Sequence, residues 1–259
     1  MLKTNFLKQK LDSGQPVIGT WSIIPSETSI DIISSTEIDF IILDAEHGPI
    51  SYEKAQTLCS ICESNNVSPV MRVGSIDESN ILRALDIGIH CLQIPNVKSV
   101  KDVEEIINFS KYPPQGKRGF SPFTRAGDYS INNASKLSKE ANSNTLLAIN
   151  IEGAEAIKNI DSILEIKGLD IIFIGLYDIS NYLGIPGEVN NIKVEKLLSD
   201  LTEKINNKNK IAGTITTNKH DIDKYLNMGI RYLVHLVDCE ILKSGYNNYI
   251  NYFNEQKSK

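Results

Sequence analysis

The chain contains little of what marks several large classes of protein. Among its 259 residues are four cysteines, one tryptophan and three methionines, and no apolar run approaches the roughly 20 residues of a membrane span. Four cysteines in a chain of this length do not form a disulfide scaffold. Cys59 and Cys62 are spaced as Cys-x-x-Cys, but with Ala55 and Leu58 they follow a helical period, which predicts a helix face in contact with the core.

Excess positive charge is also absent. The formal net charge is −5, which argues against nucleic acid or an anionic membrane as the main partner. The first residues lack a basic start followed by an apolar core, so we expect no export signal. These features predict a soluble, cytoplasmic protein.

Several catalytic motifs are missing as well. No Gly-x-Gly-x-x-Gly follows a strand and no Walker loop is present, so no nucleotide cofactor is implied. The Gly-x-Ser-x-Gly elbow of serine hydrolases is absent. No lysine is prominent at a strand end, which disfavours an aldolase that works through a Schiff base.

What is present is a regular alternation of apolar runs and amphipathic helices, typical of a parallel sheet with helical crossovers. Eight runs have the length of strands: Val17–Trp21, Phe40–Asp44, Pro69–Val73, Cys91–Pro95, Leu146–Glu152, Ile171–Gly175, Ile211–Ile215 and Tyr232–Leu236. Eight parallel strands close a barrel that side chains fill. We therefore expect an α/β fold, a single-domain (β/α)8 TIM barrel over residues 1–259.

A long polar segment interrupts this alternation between the fourth and fifth strands. It begins at Tyr112 and runs past Asn144. Long excursions in a compact domain are usually functional loops or assembly elements. We expect this one to leave from the face where substrates bind.

Several predicted strands end in charged side chains. Asp44, Arg72 and Glu152 end the second, third and fifth strands, and His47 and Asp178 follow the second and sixth. Alone, each has a structural explanation, such as a turn or a helix cap. Because the carboxyl ends of parallel strands share one rim, we expect all five to converge.

The converging residue types suit one kind of chemistry. Glu152 and Asp178 are hard oxygen ligands that fit Mg²⁺ or Mn²⁺, with Co²⁺ left open. Arg72 supplies positive charge where an enolate oxygen develops. Histidine is the residue type most often used as a general base, and Asp44 is expected to orient His47 as half of a base dyad. A metal, an arginine and a base together indicate enolate chemistry on a 2-oxo acid.

At these residues the chain resembles the HpcH/HpaI family of class II, metal-dependent pyruvate aldolases. The motifs that carry the resemblance are Asp44-Ala45-Glu46-His47-Gly48-Pro49, Pro69-Val70-Met71-Arg72-Val73, Leu85-Asp86-Ile87-Gly88, Tyr112-Pro113-Pro114, Ile151-Glu152 and Phe173-Ile174-Gly175 with Asp178-Ile179-Ser180. The resemblance implies a TIM barrel whose C-terminal helix packs on a neighbouring subunit in a trimer or hexamer.

The resemblance also implies a reaction and roles. The reaction is reversible cleavage of a 4-hydroxy-2-oxo acid, such as a 2-keto-3-deoxy sugar acid, to pyruvate and an aldehyde. Glu152 and Asp178 match the metal ligands, Arg72 the arginine at the pyruvate oxygen, and His47 with Asp44 the base pair that removes the 4-hydroxyl proton. Asp86 matches an acid near the subunit interface and the site.

The remaining candidates border the expected pocket. Trp21, Asn150, Leu176 and Tyr177 are predicted substrate contacts, and Arg125 in the long segment is a candidate for an acidic substrate tail or a subunit contact. Asn150 stands where the family usually has glutamine. Leu176-Tyr177 replaces a more usual proline and small residue.

Two alternatives remain open from the sequence. The first is a pyruvate-enolate or acyl-CoA lyase of the citrate lyase type on the same barrel, which additional arginines for a CoA tail should mark. The second is a degenerate barrel that binds without catalysis.

Overall fold

The computed structural model describes residues 4–258, apart from the side chain of residue 133. Each strand pairs parallel with its neighbour in the sequence, and the last pairs with the first to close a barrel. The strands are β1 (Val17–Ser22), β2 (Phe40–Asp44), β3 (Ser68–Arg72), β4 (Cys91–Ile94), β5 (Leu146–Ile151), β6 (Ile171–Ile174), β7 (Ile211–Thr216) and β8 (Tyr232–Val237). The predicted TIM barrel is confirmed, with each strand boundary within one residue of its predicted position.

Most helices surround the barrel on its outer face, whereas the first lies across the amino ends of the strands, where Leu7 and Leu11 pack against interior side chains. They are α1 (Phe6–Asp12), α2 (Glu27–Ser34), α3 (Tyr52–Ser64), α4 (Glu78–Asp86), α5 (Val100–Ser110), α6 (Ala134–Asn144), α7 (Ala154–Leu164), α8 (Leu176–Tyr182), α9 (Ile192–Asn207), α10 (Lys219–Asn227) and α11 (Asp238–Lys257). Between residues 4 and 258 no helix is both long and apolar enough to cross a membrane. Cys59 and Cys62 are fully buried on α3, and burial raises the pKa of the Cys62 thiol to about 12. The prediction of a core-facing helix is confirmed.

The barrel interior is packed with aromatic rings. Tyr232 stacks on Phe40 with ring centroids 4.3 Å apart, and Phe173 meets Trp21 edge to face at 5.8 Å. Gly19 makes the first pair possible, since a Cβ there would lie 2.3 Å from the Phe40 ring. The rings fill the interior, so ligands are confined to the ends of the strands.

The long segment after α5 leaves from the opposite face to the one expected. The chain leaves β4 at the carboxyl ends of the strands, but α5 then runs back along the barrel, so Lys111 lies at the amino ends. Its ammonium donates to the Thr145 carbonyl, just before β5, at 2.9 Å. The expectation that this segment borders the substrate face is wrong, because a helix separates it from the end of β4.

Two ion pairs anchor this segment to the outer helices. Arg118 Nη2 lies 2.7 Å from Asp86 Oδ1 at the end of α4. Arg125 pairs with Glu63 at the end of α3 and donates from Nη1 to the Ile87 carbonyl at 2.9 Å. Asp86 and Arg125 therefore lie at the amino ends of the strands, away from the rim expected to hold the site.

Arg125→Gln tests this placement. The substitution leaves Glu63 without its guanidinium partner, and breaking a buried pair in this way costs about 3 kcal/mol of the free energy of unfolding. Urea denaturation measures the loss. Lys204→Gln, which breaks an exposed pair with Asp161, is the matched control and should leave stability nearly unchanged. Lost catalysis at unchanged stability would contradict a purely structural role for Arg125.

Candidate active site

The carboxyl ends of the strands bring the predicted charged residues to one rim. Asp44 and Arg72 end β2 and β3 and lie directly opposite each other in the parallel register. Glu152 follows β5, and Asp178 stands in the first turn of α8 after β6. Strand register and strand polarity thus place four of the expected site residues.

Arg72 is the centre of an ion-pair network. Its Nε and Nη2 donate to the two oxygens of Asp44 at 2.9 and 2.6 Å. Its Nη1 lies 2.9 Å from Glu46 Oε2, and its guanidinium covers the Trp21 ring at 4.2 Å. A guanidinium has five N–H donors, and hydrogen bonds to Asp44 use two of them. Donors therefore remain for a ligand oxygen.

The side chains of Glu152 and Asp178 border the same space in front of Gly175. A Cβ at Gly175 would lie 2.9 Å from Asp178 Oδ2 and 3.3 Å from Glu152 Cγ. Burial raises the pKa of Asp178, and repulsion from the Glu152 carboxylate raises it further. Two acids that crowd together in this way favour a cation between them.

Asn150 is buried directly beside this pair. Its Nδ2 donates to Glu152 Oε1 at 2.9 Å, and its Oδ1 accepts from Gln93 Nε2 at 2.7 Å. Both the oxygen and the nitrogen of the Asn150 amide are therefore hydrogen-bonded to other side chains of the protein. The structure gives Asn150 a direct contact to a predicted metal ligand.

His47 reaches the rim from the loop after β2. Its side chain is 72% exposed, and its Nε2 lies 3.8 Å from Glu46 Oε2. Asp44 Oδ1 accepts from the backbone N–H of His47 at 3.4 Å, but within the described chain no ion pair joins the imidazole to Asp44. The carboxylate paired with the ring is that of Glu46, whose pKa burial raises.

The remaining predicted substrate contacts separate into two groups. Trp21 lies under Arg72, and Tyr177, 52% exposed, projects at the rim beside Asp178. Leu176 is instead buried in the apolar layer between the strands and the outer helices. The structure leaves Tyr177 as the member of this dipeptide that faces solvent.

Asn96, in the loop after β4, is a site residue that sequence reasoning missed. Its backbone N–H donates to Glu152 Oε2 at 3.0 Å and its Nδ2 to Glu46 Oε1 at 3.1 Å. Its φ of +56° lies in the left-handed region, which asparagine tolerates better than most residues. The available signal in the sequence was an asparagine directly after Pro95, at the end of the fourth strand, where asparagine often adopts a left-handed turn.

The donor set fits a divalent cation. Asp44, Glu46, Glu152 and Asp178 surround one guanidinium, so the rim carries excess negative charge. Carboxylate oxygens are the ligands that Mg²⁺ and Mn²⁺ prefer. Between residues 4 and 258, His, Cys, Asp and Glu side chains do not form a group of three or more suited to a metal. Glu152 and Asp178 would therefore leave most coordination positions to substrate and water, as Mg²⁺ sites commonly do.

The chain is similar over nearly its whole length to known aldolases. It is 28% identical over 239 residues to the 4-hydroxy-2-oxo-heptane-1,7-dioate aldolase of Escherichia coli, covering 92% of this chain and 90% of that protein. It is 28% identical over 245 residues to the pyruvate aldolase of Rhizobium etli, covering 94% and 95%.

Solved structures show the same likeness. The HpcH/HpaI aldolase from Desulfitobacterium hafniense matches with a TM-score of 0.92 at 27% identity, covering 97% of this chain and 98% of that one. The citrate synthase SbnG matches with a TM-score of 0.88 at 26% identity, covering 99% and 100%. Because the model of the HpcH/HpaI aldolase/citrate lyase family matches residues 18–238, the chain belongs to this family and is a carbon–carbon lyase.

Proposed function

We propose that this enzyme is a divalent-metal-dependent aldolase that reversibly cleaves a 4-hydroxy-2-oxo acid to pyruvate and an aldehyde. The observation that carries the proposal is that the side chains of Glu152 and Asp178 both approach Gly175. They share the rim with Arg72, which keeps N–H donors beyond the two that contact Asp44. The chain's similarity to proteins named as aldolases in Escherichia coli and Rhizobium etli supports the proposal.

Arg72 is proposed to hold the oxygen on which negative charge develops. Its guanidinium is fixed by Asp44 on one edge and by the Trp21 ring on one face. A donor fixed before the reaction stabilises a developing enolate without reorganisation, and one such donor is worth about 100-fold or more in rate. The cation held by Glu152 and Asp178 would act as a Lewis acid on the 2-oxo group.

His47 is proposed to take the proton of the 4-hydroxyl group. Its exposed ring stands at the open side of the rim, where the part of the substrate that becomes the aldehyde must lie. Glu46 Oε2, 3.8 Å from the ring, is placed to stabilise the imidazolium that results. Tyr177, exposed on the same rim, is proposed to border the aldehyde.

A second candidate is a reaction of the citrate lyase type on the same barrel. The likeness to the citrate synthase SbnG at 26% identity favours it. Both reactions pass through an enolate beside a carboxylate-held cation, so the rim serves either. Turnover of an acyl-CoA in place of an aldehyde would identify this alternative.

We propose that α11 is exchanged between subunits of a trimer or hexamer. Leu242, Tyr246, Tyr249 and Phe253 recur every three or four residues on α11 and are largely exposed, so they form one apolar face. Beside β1 and α2 lies an apolar groove of about 510 Å³ that the start of α11 also borders. A neighbouring subunit's α11 is the proposed occupant of this groove.

The aldolase proposal predicts metal-dependent enolate formation from pyruvate alone. Exchange of the pyruvate methyl protons with D₂O, followed by NMR, should require Mn²⁺ or Mg²⁺. Arg72→Lys keeps the charge but loses the fork that contacts Asp44, and exchange should fall by about 100-fold. No exchange by the folded wild-type enzyme with Mg²⁺, Mn²⁺ or Co²⁺ would contradict the proposal.

The crowded acids predict an unusual effect of Asp178→Asn on stability. Because the pKa of Asp178 is raised in the folded chain, ionising it costs stability as the pH rises through that pKa. In EDTA at neutral pH, the variant should unfold at the wild-type temperature or above it. It should gain far less than the wild type from added Mn²⁺. Calorimetry showing a marked loss of stability in EDTA with full stabilisation by Mn²⁺ would contradict the assignment.

The subunit exchange predicts that a charge on the apolar face of α11 disrupts the assembly. Tyr249→Lys should shift sedimentation velocity profiles to a smaller species. Asn251→Lys lies about 200° away on a helix with 3.6 residues per turn and serves as the control. Identical sedimentation of Tyr249→Lys and wild type would contradict the exchange.

A further inference from the structure

We infer that Gln93 is a positioning residue of this site: it fixes the orientation of the Asn150 amide and, through it, the carboxylate of Glu152. The inference rests on the proposed function, since Glu152 is assigned there to the cation. Gln93 itself makes no described contact with Glu152. Its role is to decide which end of another side chain faces the carboxylate.

Three side chains form a continuous line of hydrogen bonds from the barrel interior to the rim. Gln93 on β4 and Asn150 on β5 are both buried. Gln93 Nε2 donates to Asn150 Oδ1 at 2.7 Å, and Asn150 Nδ2 donates to Glu152 Oε1 at 2.9 Å. Every N–H in the line points toward the carboxylate.

The direction of this line matters because an amide has two different ends. Asn150 stabilises Glu152 only when its NH₂ faces the carboxylate. If the amide turned, Oδ1 would face Glu152 Oε1 and two acceptors would repel each other. Gln93 prevents this, since its Nε2–H needs an acceptor and finds it in Asn150 Oδ1.

A hydrogen bond from Tyr232, in the barrel interior, supports the orientation of the Gln93 amide. The Tyr232 hydroxyl donates to Gln93 Oε1 over a longer distance of 3.4 Å. The Tyr232 ring is stacked on Phe40 and buried, so the phenol cannot swing away. The Gln93 oxygen therefore faces the interior and its nitrogen faces Asn150.

The second oxygen of Glu152 is held from another direction. Asn96 donates its backbone N–H to Glu152 Oε2 at 3.0 Å. With one donor on each oxygen, the plane of the carboxylate is fixed. A carboxylate has about four lone-pair sites, so two remain for a cation.

Gln93→Met tests the inference with binding of Mn²⁺ to the full chain, measured by isothermal titration calorimetry without substrate. Methionine matches glutamine in length but cannot donate to Asn150 Oδ1. The Mn²⁺ dissociation constant should rise about 10-fold or more, as for other groups that orient a ligand. Thr202→Val, which removes a buried hydroxyl on α9, is the control and should change it less than about 2-fold.

A double-mutant cycle shows whether Gln93 acts through Asn150. Asn150→Leu removes the donor to Glu152 directly, so adding Gln93→Met should weaken Mn²⁺ binding no further. Thermal unfolding in EDTA establishes that each variant is folded. Gln93→Leu replaces Gln93→Met in the cycle if the methionine variant does not fold.

The outcomes separate this inference from the proposed function. Wild-type Mn²⁺ affinity in Gln93→Met, or losses that multiply in the double variant, would overturn the positioning role and leave the aldolase proposal standing. No Mn²⁺ binding by the wild-type protein would overturn the proposed function and this inference with it.

Discussion

The parallel closure of the barrel is the constraint on which the rest of the molecule depends. Eight strands of one polarity bring all their carboxyl ends to one rim, so acids far apart in the sequence become neighbours. The register of β2 and β3 sets Asp44 opposite Arg72, which determines their ion pair. Beneath the rim, packed aromatic rings close the interior and confine any ligand to the open end.

The rim carries an excess of negative charge. One guanidinium stands among four carboxylates, and burial together with repulsion from the Glu152 carboxylate raises the pKa of Glu46 and the pKa of Asp178. Acids with perturbed pKa values in a cleft are typical of functional sites. The proposed divalent cation would offset the excess negative charge of these carboxylates.

The fold could be predicted almost completely from the sequence, because buried parallel strands are continuous apolar runs and each ended at a turn signal. Arg72, Glu152 and Asp178 followed from their places at strand ends. Asn96 did not, since its contacts with Glu46 and Glu152 depend on a left-handed backbone in a loop. The partner of the His47 ring was not predictable from spacing either. The carboxylate of Asp44 pairs with Arg72 on the neighbouring strand, and the ring lies beside Glu46 instead. The expected face of the long segment was wrong because α5 carries the chain back along the barrel before the segment begins.

The most direct test of the account is a crystal structure of the enzyme with Mn²⁺ and pyruvate, with anomalous scattering recorded at the manganese edge. The account predicts a single strong peak in contact with the carboxylates of Glu152 and Asp178, with a pyruvate oxygen in contact with Arg72. A peak elsewhere in the barrel, or pyruvate bound away from Arg72, would contradict it.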